Sequence, residues 1–187
     1  MAREMNVVAY DPNWPALYNQ EKAALEDVLG ELMIGIQHFG STAIPGMSAK
    51  PTIDVMVLVQ EIKAVDTYDE AMIQAGYEPR GEAKIPGRRF FRRFEADGEN
   101  HAAHIHVYEP DNAHVKRELM FRDYLMIDNE AFRQYEHMKL EASERFRFSP
   151  KEYTDAKTEC ITEIMAKARE FYQAQPVGAA ICRPQSL

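Results

Sequence analysis

HFGSTAIPGMSAKPTIDVMV, residues 38–57, decides how this chain is read. Its first two residues end an apolar segment, Met33 to Phe39, that predicts a short strand. Gly40, Ser41, Thr42, Pro45 and Gly46 then supply turn chemistry. After Lys50 and Pro51 comes IDVMVLV, residues 53–59, a nearly continuous run with β-branched residues at alternate positions. Such a run suits a strand buried on both faces. Asp54 interrupts it with a charge, and a carboxylate inside an apolar strand is costly unless it is paired, hydrogen-bonded or bound to metal.

Working outward, Asn13 is expected to cap a first helix with Pro15 in its first turn and Gly30 as its stop. A second helix is expected through roughly Ile62 to Ala75, closed by Gly76. A strand-like segment follows through GRRFFRRFE to the run Ala103-His104-Ile105-His106-Val107-Tyr108. From Asp111 the pattern turns helical, with breaks at Asp128-Asn129 and Ser149-Pro150, so three helices complete the domain. The fold expected is α+β, a small mixed β-sheet covered by helices with a helical C-terminal half. Residues 1–173 are expected to form one domain and 174–187 a fraying tail, since QAQPVGAAICRPQSL has lost the helical period.

The net charge is −8, which disfavours bulk binding to nucleic acid, where phosphates must be neutralised. No apolar run approaches the roughly 20 residues needed to cross a bilayer. Cys160 and Cys182 form no zinc-type spacing and demand no oxidising compartment, so the cytoplasm is the expected location. The sequence lacks the GK[ST] ending of a P-loop, and HExxH, GxSxG and Rossmann fingerprints are absent. Nothing in it dictates an oligomeric state.

The strand, turn, lysine and carboxylate of residues 38–57 are the parts of a phosphate and metal site. Gly40, Ser41 and Thr42 can present backbone N–H groups and hydroxyls to phosphate oxygens, Lys50 can add charge, and Asp54 can hold Mg²⁺ or another divalent metal. The same residues also serve an ordinary strand connection. His104 and His106 are two apart on a strand and project to one face. Either could ligate a metal or act as a base beside Asp54, and a structural pair is the alternative. Among the arginines of RRFFRR, Arg89 and Arg92 are candidates for phosphate. His38, Arg122, Tyr153 and Lys157 form a second tier, the last two lying four apart on one helix face.

GSTAIPG followed by AKPTID resembles the signature stretch of the GrpB family, in the nucleotidyltransferase superfamily. The resemblance extends to YDPNWP, HIHVYE, FRDYL and YTDAK, over roughly residues 7 to 172. It implies a nucleotidyltransferase-like fold, a nucleotide or other phosphorylated small molecule as ligand, and metal-dependent nucleotidyl transfer. It also implies a link to coenzyme A metabolism, since related domains occur fused to dephospho-CoA kinase. Gly40, Ser41 and Asp54 match the superfamily's Gly-Ser turn and first metal-holding acid. The second acid, two residues after the first, is here Met56, and the strand expected to give a third offers His104 and His106. A non-catalytic binding module of the same fold, or a metal-dependent enzyme using Asp54, His104 and His106, are the alternative readings.

Overall fold

The run at residues 53–59 does form a central strand. In the computed structural model, which describes residues 4–174, β1 (Met33–Phe39) and β2 (Ile53–Val59) are antiparallel neighbours, and β2 runs parallel to β5 (His101–Tyr108). β4 (Arg89–Phe94) and the short β3 (Glu78–Pro79) follow antiparallel, giving a five-stranded mixed sheet of order β1-β2-β5-β4-β3.

Strand alternation divides the sheet. Val55, Val57 and Val59 of β2 join Ile105 and Val107 of β5 on one face, where they meet Trp14, Leu25 and Leu29 of α1 (Trp14–Leu29) and Met72 of α2 (Asp69–Gln74). Burial of each such aliphatic side chain contributes roughly 1.5–3 kcal/mol. Glu21 of α1 is only 2% exposed and spans helix and sheet, accepting hydrogen bonds from the Tyr77 hydroxyl at 2.7 Å and from the Arg93 guanidinium.

Asp54, Met56, His104, His106 and Tyr108 point to the other face, because Asp54 lies opposite His104 and Met56 opposite His106 in the parallel register. α3 (Ala113–Ile127) covers part of it with Val115 and Leu119, packed on Phe39, Met56 and Tyr108. α4 (Asn129–Arg145) and α5 (Pro150–Ala174) pack on α3 and on Ile44 and Met47 of the turn. The three C-terminal helices thus stand over the strand starts that carry Asp54 and His104. No helix of the described residues is long and apolar enough to cross a membrane.

Local details depart from the sequence-based expectation. Asn13 makes no side-chain cap; its N–H is instead bonded to Asp11 Oδ1 at 2.8 Å. Residues 62–75 do not form one α-helix: Ile62–Tyr68 is 3₁₀ and only Asp69–Gln74 is α. Ile62, Val65 and Thr67 are β-branched, which lowers α-helix propensity in this part, and the Thr67 hydroxyl bonds the Ala64 carbonyl at 2.8 Å. The break at Asp128 is as expected, its carboxylate accepting from Glu130 and Ala131 N–H at 3.0 and 2.8 Å. α5 includes Ala174, the first residue of the expected tail, and the remainder of that tail lies outside the described residues.

Candidate functional site

Gly40 turns the chain from β1 towards β2 with φ +71° and ψ −174°, a conformation essentially restricted to glycine. A side chain is excluded for a second reason: a Cβ built there would lie 2.4 Å from Asp54 Oδ2. The turn therefore passes directly over the carboxylate, and Ser41 and Thr42 follow it at the cleft floor. The Thr42 hydroxyl bonds the Thr52 carbonyl at 3.3 Å and His38 Nε2 at 3.0 Å.

Asp54 is reached by both strand histidines, His104 Nδ1 at 3.3 Å and His106 Nε2 at 4.0 Å from Oδ1. Burial pushes its carboxyl upward, yet the hydrogen bond from His104 and nearby positive charge, Lys50 included, hold it below the ordinary carboxylate range. Asp54 is thus an anion at neutral pH. Burial, with Arg88 nearby, lowers His106 to about 3 against the opposing field of Asp54, so its ring is neutral. His101 Nδ1 lies 2.7 Å from His104 Nε2 and extends the chain of polar groups outward.

A cavity of about 200 Å³ opens beside this cluster, and lysines converge on it from the helices. Lys157 of α5 lies over the Tyr153 ring at 4.8 Å, and Lys50 lies over the same ring at 5.9 Å. Lys139 of α4 is 2% exposed, donates to the Ser48 carbonyl at 2.5 Å and sits 4.7 Å from the Tyr135 ring. Burial, reinforced by Lys157, lowers Lys139 to about 7, while Glu136 opposes the shift. Lys157 is also lowered by burial, against Asp54 and Glu118. Burial pushes the Tyr153 hydroxyl up to about 12, so it stays protonated.

A second cavity, about 190 Å³, shares Ser41 and Lys157 with the first and adds Gly40, Glu118, Arg122 and Tyr135. Burial and the Asp54 charge raise the Glu118 carboxyl, partly offset by Arg117, Lys157 and Arg88. A larger groove of about 810 Å³ runs along α3 and α5, lined by Val115, Leu119, Met165 and Tyr172 among others. Of the three, only the first cavity is lined by Asp54 and His104.

The structure brings together Gly40, Ser41, Thr42, Lys50, Asp54, His104, His106, Tyr153 and Lys157 from the residues read in the sequence. Arg89 is not brought there. It lies opposite Val107, on the α1 face, and pairs with Asp66. Arg92 shares the Asp54 face but is held at the sheet edge by two bonds to Glu78, at 2.7 and 3.1 Å. His38 points to α1, stacked on Tyr18 at 4.7 Å, and burial lowers it to about 4. Arg122 lines the second cavity while bonding the His38 carbonyl at 2.7 Å, which ties α3 to β1. Lys139, Tyr135 and Glu118 are not among the residues read from sequence, whereas Arg88 belongs to the basic cluster RRFFRR read there. Of those three, Lys139 alone left a legible trace, a charge among Ala131, Tyr135 and Ala142 on the buried stripe of α4.

As to an ion, the donors fit a hard cation in part: Asp54 offers one carboxylate, and Mg²⁺ is commonly bound through one or two carboxylates completed by phosphates and water. Met56, where a second acid would stand, is fully buried in the sheet and contributes no oxygen.

The family model described as GrpB protein matches residues 4–167. The UPF0157 protein YqkA of Bacillus subtilis is 34% identical over 96% of this chain, which spans about half, 52%, of that protein's length. The glutamate-rich protein GrpB of Alkalihalophilus pseudofirmus is 36% identical, with 87% of this chain and 94% of that protein aligned. The crystal structure of GrpB from Enterococcus faecalis superposes with a TM-score of 0.83 at 32% identity, covering 90% of this chain and 99% of that one. The chain belongs to the GrpB family.

Proposed function

We propose that this protein binds a nucleotide or another phosphorylated small molecule in the cleft between the sheet and α3–α5. The observation that carries the reading is charge placement. In a chain of net charge −8, Lys50, Lys139 and Lys157 converge with Ser41 on one small cavity beside Asp54. Asp54, Glu118 and Glu136 offset part of the positive charge grouped there, and a phosphate would add to that offset. At about 200 Å³ the cavity has room for a phosphate group and a few waters, each water taking about 30 Å³. Asp54 would hold a divalent cation against that phosphate, where the cation would neutralise phosphate charge. Met56 favours binding over nucleotidyl transfer, because the paired-metal arrangement lacks its second carboxylate.

Calorimetric titration with a panel of nucleotides and coenzyme A precursors, with and without Mg²⁺ or Mn²⁺, tests the proposal. At least one phosphorylated compound is expected to bind more tightly with the metal, and Asp54→Asn is expected to cost about tenfold or more of that metal-dependent affinity. Failure of every phosphorylated compound to bind would refute the reading. Binding indifferent to metal and to Asp54→Asn would retain the phosphate site and remove the cation. Release of pyrophosphate or another product during titration would instead establish transfer.

A further inference from the structure

We infer that Arg88 makes His106 a hydrogen-bond donor, so that the site at Asp54 takes a hard, oxygen-ligated cation and excludes transition-metal ligation by both histidines. The inference rests on the preceding reading only in placing an ion at Asp54.

By residue type, Asp54, His104 and His106 form a two-histidine, one-carboxylate set whose ligand atoms lie within 4.8 Å of one another. That set ordinarily suits transition metals. Hydrogen bonding decides otherwise. Arg88 Nη1 lies 3.3 Å from His106 Nδ1. A guanidinium has donors and no acceptor, so Nδ1 must present its lone pair and the neutral ring carries its hydrogen on Nε2. Nε2 is the atom that faces Asp54, 4.0 Å from Oδ1. Ligating a metal there would require the hydrogen to move to Nδ1, against the Arg88 N–H. Metal-bound histidines normally give their second N–H to a carboxylate, carbonyl or water, the reverse of what Arg88 offers.

Arg88 is held in place. It is 7% exposed, donates through Nε to the Glu82 carbonyl at 3.2 Å and through Nη2 to the Ala83 carbonyl at 2.8 Å, and lies 4.8 Å from the Phe90 ring. Ala83 and Lys84 have φ of +44° and +70°, a strained backbone for residues with side chains, and the arginine braces that segment. His104 differs. Its Nδ1–H donates to the Asp54 carboxylate and its Nε2 accepts from His101 Nδ1–H; an ion could still take Nδ1 if the hydrogens shifted so that His104 Nε2–H donated to His101 Nδ1, a shift that no guanidinium opposes. An ion therefore finds Asp54 and at most one imidazole, with water and phosphate oxygens to complete its shell. The His106 N–H remains to bond Asp54 or a ligand oxygen.

The test is titration of the whole protein with Mn²⁺, Zn²⁺ and Co²⁺, using calorimetry and the Co²⁺ absorption spectrum, in wild type, His106→Gln and Arg88→Met. Wild type is expected to give the weak Co²⁺ bands of an oxygen-rich, six-coordinate ion. His106→Gln should change Mn²⁺ and Zn²⁺ affinity by less than about threefold, and Arg88→Met should tighten Zn²⁺ by about tenfold or more, the size of outer-shell effects on metal sites. An intense tetrahedral Co²⁺ spectrum in wild type, or a loss of about tenfold or more in Zn²⁺ affinity in His106→Gln, would overturn the inference even if Arg88→Met fails to fold. Wild type that binds no ion, with Arg88→Met acquiring Zn²⁺, would uphold the role of Arg88 and remove the cation from the proposed function. No ion in either protein would overturn both.

Discussion

Gly40→Ala is expected to destabilise the protein by about 3 kcal/mol or more, and to abolish ligand binding even at temperatures where the variant remains folded. Two costs coincide. The backbone at φ +71° and ψ −174° lies in a region that costs an L-residue roughly 1–3 kcal/mol. The new methyl group would then meet Asp54 Oδ2 at 2.4 Å and Asp54 Cβ at 2.9 Å. Asp54 cannot retreat, because Met56 and Val55 fix β2 between two partner strands. Relief must come from displacing the turn, which carries Ser41 and Thr42 out of the cleft. In thermal unfolding the loss should read as a fall of about 6–12 °C, at roughly 2–4 °C per kcal/mol for a domain of this size. Gly81→Ala is the control: its φ is also positive, but a Cβ there meets nothing within 4 Å, so its cost should be the smaller, backbone part alone. Equal effects of the two substitutions would refute the argument from Asp54.

Lys139→Met is expected to do the opposite for stability, raising it by on the order of 2–3 kcal/mol at pH 7 while weakening binding of the phosphorylated ligand. Burial moves the amine from 10.5 in the open chain to about 7 in the folded protein. The unfolded chain therefore binds more protons between those values, and wild-type stability should rise as pH increases from 7 to 10.5. Below pH 7 both states are protonated and the cost is present in full. The linked cost is on the order of 4 kcal/mol at neutral pH, and losing the bond to the Ser48 carbonyl returns about 1. Denaturant unfolding at about pH 6.5, below that window, and at about 8 and 9.5, within it, should show the advantage of the methionine shrinking as pH rises. A constant advantage would mean that Lys139 is charged and satisfied in the fold.

Much of this architecture is written locally. The β-branched run at residues 53–59 can be satisfied only by burial on both faces, and the charge within it marks Asp54 directly. Alternation likewise sends His104 and His106 to one face wherever the strand lies. What was not legible depends on partners. Which arginines of RRFFRR face the cleft is set by the register of β4 on β5, which puts Arg88, Phe90 and Arg92 on the Asp54 face and Arg89 and Arg93 on the other. Glu118 and Tyr135 look like ordinary helix residues until α3 and α4 are folded over the turn. The α-helix expected over residues 62–75 is 3₁₀ through Tyr68, the part that holds the β-branched Ile62, Val65 and Thr67.

The parallel pairing of β2 with β5, closed over by α4 and α5, has a temporal consequence. Ser41 and Asp54 leave the ribosome early, His104 later, and Tyr153 and Lys157 near the end of the described chain. A nascent chain that has made its whole sheet still lacks the lysines of the last two helices, and contacts so distant in sequence form late. The proposed site would then be complete only once α5 has been made, and a protein cut before Tyr153 would lack that wall of the cleft.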